Sequence, residues 1–242
     1  MIRLAMEIPT AFLQKWSPLC DLDFALAHRV LEDEVYASFY AHRPSRRELI
    51  LDNSMHELGK PLSVELLGEA AARVHANIVI APDLLGQLDR NLEWFRETYS
   101  TLGGTYKIGV VLCGETFEER EQFLSAVLPA DVLCLPFREA RLEWLIGHQA
   151  QIVRRWARIH LLGVSTLEEL PAFSTKARIF ELDMSVDTSK PIKWGLEKLG
   201  ILGRPLRGAP TSSAELLSLQ KVTLDQEATI YYNIASLRSY LV

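Results

Sequence analysis

The stretch RIHLLGVSTLEELPAFSTKARIFELDMSVDTSKP, residues 158–191, reads as one strand-helix-strand unit. RIHLLGV (158–164) and RIFELDMSV (178–186) are largely apolar on consecutive positions, as parallel strands covered on both faces require. Between them Thr166 and Glu169 have capping-box spacing, which predicts a helix start. The second run closes on Asp187, so the unit delivers a carboxylate to the carboxyl end of a strand.

The same alternation extends through the chain. Further strand runs are RLAMEI (3–8), LDFALA (22–27), ELILD (48–52), ANIVIA (76–81), YKIGVVL (106–112) and DVLCLPF (131–137), which brings the total to eight. After the fourth, Leu84, Leu88, Leu92, Phe95 and Tyr99 recur at helical spacing, with Gln87, Arg90, Glu93 and Glu97 on the other side. Thr116 and Glu119 supply a second capping box after the fifth. Eight strands alternating with helices over 242 residues predict an α/β fold, a single (β/α)8 TIM barrel occupying 1–242 as one domain. The link between the first two strands contains Pro18 and is expected to be irregular. GRPLRGAPTSS (203–213) reads as an exposed connection. From about 214 to 242 a helical extension is expected to pack on the barrel through Ile230, Ile234, Leu237 and Leu241.

Apolar residues make up 48% and charged residues 24%, which fits a chain with a substantial core. The formal charge of −5 lacks the cationic signature of a general nucleic-acid binder, so any polyanion must meet a local basic patch. Cys20, Cys113 and Cys134 are odd in number and without CxxC spacing, which points to a reducing compartment and no metal site. No signal-like or membrane-spanning run is seen, and a cytoplasmic protein without membrane contact is expected.

In (β/α)8 barrels the site lies at the carboxyl ends of the strands. Those ends read Glu7, His28, Asp52 with Asn53, Asp83, Cys113 with Gly114, Phe137 with Arg138, Gly163 and Asp187. Paired carboxylates suit chemistry at an anomeric carbon, one attacking and the other moving protons.

At these positions the chain resembles the tRNA-guanine transglycosylase superfamily, and within it the small phage-type 7-deazaguanine DNA transglycosylases. ELILDNSMHELGK is similar to the segment of the general acid/base aspartate, which implies that role for Asp52. NIVIAPD matches the strand of the purine-recognising aspartate, which points to Asp83. IHLLGVSTLEEL places Gly163 at a close-approach glycine, and LDMSVDTSKP places the nucleophile on Asp187. Asn53, Ser54 and Met55 stand where the family has a double glycine, and Cys113 where it has glutamine, so Asn53, Cys113 and Gly114 would shape the base pocket. Nothing after Cys134 could form the zinc subdomain of the tRNA-acting members.

The resemblance implies a base exchange. Asp187 would attack C1′ and release guanine, and a 7-deazaguanine would then displace the glycosyl-aspartate, with Asp52 moving protons and no cofactor. DNA would be favoured over tRNA, with phosphate contacts from Arg138, Arg141, Lys190 and Lys193 and from Arg43, Arg46 and Arg47. Such a reaction is compatible with a homodimer or a partner protein. Two other readings are a barrel enzyme acting on a small metabolite, such as an aldolase or sugar-phosphate isomerase, and a non-catalytic partner subunit.

Overall fold

The computed structural model describes residues 1–242 apart from 45, 85, 128–129, 137–140, 142–144, 146, 148–154, 157, 165 and 203–210. In chain order the described elements are β1 (Arg3–Ala5), α1 (Leu13–Trp16), β2 (Asp23–Leu26), α2 (Ala27–Glu32), α3 (Glu34–Ala41), β3 (Leu49–Asp52), α4 (Met55–Leu58), α5 (Val64–Val74), β4 (Ile78–Ile80), α6 (Leu88–Leu102), β5 (Lys107–Val111), α7 (Phe117–Ala126), β6 (Val132–Leu135), β7 (Arg158–Leu161), α8 (Glu169–Ile179), β8 (Asp183–Asp187), α9 (Lys190–Leu196), α10 (Ser213–Leu217) and α11 (Leu224–Ser239). The fold class is that of a (β/α)8 barrel with an additional C-terminal helix. Seven of the eight expected runs contain one of these strands whole, and the eighth overlaps β8, which runs one residue past it to Asp187.

The chain divides into two compact units, Met1–Asp21 with Pro136–Val242, and Leu22–Leu135. The second unit holds β2 to β6 as consecutive parallel neighbours, with Leu26 paired to Asp52, Leu51 to Val79, Val79 to Ile108 and Val111 to Cys134. These strands are short and almost wholly buried, which explains why their runs are apolar without alternation. On α6 the buried face carries Asn91, Leu92, Phe95, Thr98 and Leu102, while Gln87, Arg90, Glu93 and Glu97 are exposed. The Thr116–Glu119 capping box forms at the start of α7.

Arg43 of this unit performs a structural role that its sequence position did not reveal. Its guanidinium donates to the carbonyls of Tyr40, Val74, His75 and Arg47 and to Asn77 Oδ1, closing the C-terminus of α5. Arg47 pairs with the buried Asp23 at 2.9 Å. Both guanidiniums serve the end of the strands opposite the rim carboxylates, which removes them as phosphate contacts there.

In the first unit β8 lies between β1 and β7, all parallel, with Ala5 paired to Asp187 and His160 to Ser185. The link after β1 is irregular as expected, made of two short 3-10 turns, Thr10–Phe12 and Ser17–Leu19, around α1. Two local expectations fail. The run 178–186 is not a strand throughout: α8 continues to Ile179, Glu181 takes a left-handed φ of 52°, and β8 begins only at Asp183. The Thr166–Glu169 box does not form either, because α8 starts at Glu169 and that carboxylate is held by Arg141 instead. The C-terminal helix packs as expected through Ile230, Ile234, Leu237 and, beyond its end, Leu241. Its close partner is α9, where Gly195 lies so near Ile230 that a β-carbon would stand 2.3 Å from Ile230 Cγ1.

Candidate active-site carboxylates

In the second unit the rim is built at the ends of β3 and β4. Asp52 is the last residue of β3 and half-buried, and its Oδ2 accepts the Ser54 amide at 2.7 Å. Ser54 has φ 62°, a left-handed conformation unusual for a residue with a β-carbon. Two hydrogen bonds hold it there: the one to Asp52 and one from the His28 amide to its hydroxyl. The buried Asn53 donates from Nδ2 to the Ala81 carbonyl and to Asp83 Oδ1, both at 2.8 Å. The next helix, α6, begins five residues beyond Asp83, at Leu88, with Gln87 at its N-cap.

Cys113 lies buried beyond β5, with Asn91 Nδ2 donating to its sulfur at 3.0 Å. Asn91 also ties both backbone groups of Leu84, as donor to its carbonyl and acceptor from its amide. Gly114 has φ 118°, and a β-carbon there would meet Arg120 N at 2.8 Å, so its need for glycine is one of packing against α7. His28, buried at the start of α2, has its pKa held below the usual histidine value, first by desolvation. The nearby Glu32 opposes that shift and Arg29 adds to it.

In the first unit β7 and β8 share a polar face. Arg158 lies opposite Asp183, and His160 opposite Ser185. Asp183 pairs with Arg3 at 2.8 Å and approaches Arg158 at 3.7 Å. This salt bridge occupies the lower rung and makes Asp183 a structural carboxylate. One rung up, His160 is fully buried, with Nδ1 2.8 Å from Ser185 Oγ.

At the top stands Asp187, with a side chain 15% exposed. Gly163, at φ 68°, donates its amide to Asp187 Oδ1 at 3.1 Å, and His160 Nε2 is 3.2 Å from the same oxygen. The imidazole approaches that oxygen as a close polar contact and not as an aligned hydrogen bond. The opposite face of these strands is apolar and fully buried, formed by Ile159, Leu161, Met184 and Val186. Neither His160 nor Ser185 was singled out from sequence. The visible signal was polar residues at two-residue spacing, 158 and 160 facing 183, 185 and 187, inside otherwise apolar strands.

The basic residues assigned to phosphate contacts are mostly engaged internally. Arg141 is buried and donates to the carbonyls of Leu162 and Gly163 and to both oxygens of Glu169. Lys193 is buried with Nζ 3.0 Å from Ser213 Oγ. Arg138 lies outside the described residues. Lys190, half-buried at the start of α9, has its pKa lowered by burial and then by the charge of Lys193.

No family model and no curated protein matches the chain. Among solved structures it is similar to a phosphoribosyl anthranilate isomerase in complex with reduced 1-(o-carboxyphenylamino)-1-deoxyribulose 5-phosphate, with 11% identity, 99% of this chain and 100% of that chain covered, and a TM-score of 0.53. The phosphoribosyl anthranilate isomerase of Thermotoga maritima gives 12%, 98%, 100% and 0.54 in the same order. KGPDC from Streptococcus mutans gives 13%, 96%, 98% and 0.51. At such identities the likeness establishes the fold. These findings overturn the transglycosylase resemblance, and the roles in exchanging guanine for a 7-deazaguanine that it implied for Asp52, Asp83 and Asp187 lose their support. The matching segments were short strand ends, and any (β/α)8 barrel places polar residues there.

Proposed function

We infer that the protein is a (β/α)8-barrel enzyme that acts on a small anionic metabolite by proton transfer, with Asp187 as the acid–base group. The observation that carries this reading is the carboxylate at the end of β8, held on one oxygen by the Gly163 amide with His160 Nε2 in close polar contact. Barrels of this class place their chemistry at the carboxyl ends of strands. A carboxylate fixed by the Gly163 amide and the neighbouring imidazole is suited to take a proton from a substrate carbon or hydroxyl and return it at another position. The phosphorylated ligand named for the similar isomerase supports an anionic substrate. Lys190, three residues beyond Asp187, is the cation for it: burial disfavours its charge, and an anion beside it would offset that cost.

The test is a panel of aldose and ketose phosphates, scored first by thermal shift and then by deuterium uptake into substrate in heavy water. The expected result is that at least one sugar phosphate raises the melting temperature and exchanges a carbon-bound proton. Asp187→Asn should still bind it while exchanging on the order of a hundredfold more slowly or worse. Lys190→Met should weaken binding. If no member of the panel stabilises the protein, or if Asp187→Asn exchanges at the wild-type rate, the reading is wrong.

A further inference from the structure

We propose that Ser185 and His160 are positioning residues for Asp187, holding the imidazole as the neutral tautomer with its proton on Nε2. This rests on the reading of Asp187 as the acid–base group. The three side chains lie on one face of two paired strands, His160 and Ser185 as register partners and Asp187 two residues further on. A neutral imidazole carries one N–H, and the two nitrogens of His160 meet different neighbours. Nδ1 is 2.8 Å from the Ser185 hydroxyl, which can donate or accept. Nε2 is 3.2 Å from a carboxylate oxygen, which when ionised can only accept.

With the proton on Nδ1, a ring lone pair would face the lone pairs of Asp187 in a fully buried setting, where like partial charges repel strongly. With the proton on Nε2, Ser185 donates to Nδ1 and the ring N–H, not a lone pair, faces the carboxylate. The carboxylate then has the Gly163 amide hydrogen-bonded to Oδ1 and the imidazole N–H in polar contact with the same oxygen, and among the described contacts Oδ2 is left for the substrate. Ser185 therefore acts at one remove: Asp187 sets the tautomer, Ser185 holds the ring by donating to Nδ1, and the ring so held helps to fix the carboxylate rotamer that aims Oδ2.

The experiment is long-range 1H–15N NMR on protein labelled in its histidine rings, with the His160 signals assigned by their loss in His160→Gln. The wild type should show a protonated-type resonance at Nε2 and an unprotonated-type resonance at Nδ1. Ser185→Ala should keep the proton on Nε2 but shift the Nδ1 resonance as its donor is lost, and Asp187→Asn, which replaces the carboxylate by a group that can donate or accept, should give a tautomer mixture. A protonated-type resonance at Nδ1, or a Ser185→Ala spectrum like that of the wild type, would overturn the proposal. Once a substrate is in hand, His160→Leu should lower kcat about tenfold to a hundredfold with KM little changed. His160→Gln, which keeps a donor near the Nε2 position, should recover part of it, and equal loss in both variants would count against positioning. Unaltered turnover in Asp187→Asn would remove the acid–base reading itself, whereas the ring spectra report the tautomer independently of turnover.

Discussion

Asn53 joins two strand ends of the second unit: a single nitrogen, Nδ2, donates to the Ala81 carbonyl beyond β4 and to Asp83 Oδ1, while its Oδ1 accepts the Met55 amide at 2.9 Å. Its side chain is 2% exposed, so the groups it serves have little access to water as a substitute. Asn53→Leu should lower stability by roughly 1–3 kcal/mol, the cost of leaving such groups unpaired. A shift in the urea midpoint with an unchanged slope would be the signature. Loss of less than about 0.5 kcal/mol would mean that Asp83 holds its place without Asn53.

Arg43 has five acceptors spread over the end of α3, the loop to β3, the end of α5 and the loop to β4. Arg43→Met keeps the aliphatic stem but deletes all five bonds, and a loss of about 1.5–3 kcal/mol is expected from charge-assisted bonds of this kind. Arg43→Lys should recover little, because an ammonium cannot reproduce the planar fork. Full stability in the lysine variant, read from chemical denaturation, would show that charge alone matters at this position.

The fold was legible where local pattern and tertiary demand agree. Eight buried strands give eight apolar runs, and the spacing of Leu92 and Phe95 marks the inner face of α6. It was less legible where a polar side chain is spent inside the structure. Asn91 sits on the buried face of α6, Arg141 is consumed by Glu169 and two carbonyls, and His160 interrupts an apolar strand. None of these partnerships is local in sequence, since each joins residues 21 or more positions apart except the Asn91–Leu84 pair. The rim carboxylates were found because the fold fixes where strand ends lie. Their roles could not follow, because the same rim positions serve many chemistries.

Gly195 is a packing glycine. A β-carbon added there would lie 2.3 Å from Ile230 Cγ1 and 2.9 Å from both Ile230 Cα and N. The first of these contacts can be removed by shortening the side chain, but the other two involve the backbone of α11. Gly195→Ala should therefore cost at least about 1–3 kcal/mol by overpacking. The double variant Gly195→Ala with Ile230→Ala should recover none of that loss, because the backbone contacts persist and a buried isoleucine is truncated as well. Better stability in the double than in the single variant, read from thermal unfolding, would show that α11 can move away from α9.

His28 makes stability depend on pH in a defined direction. Its pKa in the folded protein lies below the usual histidine value of 6.5, chiefly through burial, so the unfolded chain takes up a proton at a higher pH than the folded one does. As pH falls through about 6.5 the unfolded state gains a proton that the folded state still refuses, and stability drops with a slope of at most about 1.4 kcal/mol per pH unit for this single group. The drop ends when the folded-state value is reached, and above 6.5 the contribution is fully present. Replacing the ring by a side chain that does not titrate, as in His28→Gln, should remove this component while leaving those of the other histidines. Denaturation measured for both proteins at intervals from pH 8 to 5 gives the comparison. The difference in unfolding free energy between wild type and His28→Gln should be flat at the alkaline end and fall on acidification; a difference that stays constant throughout, or rises as pH falls, would contradict the burial of a neutral imidazole at this position.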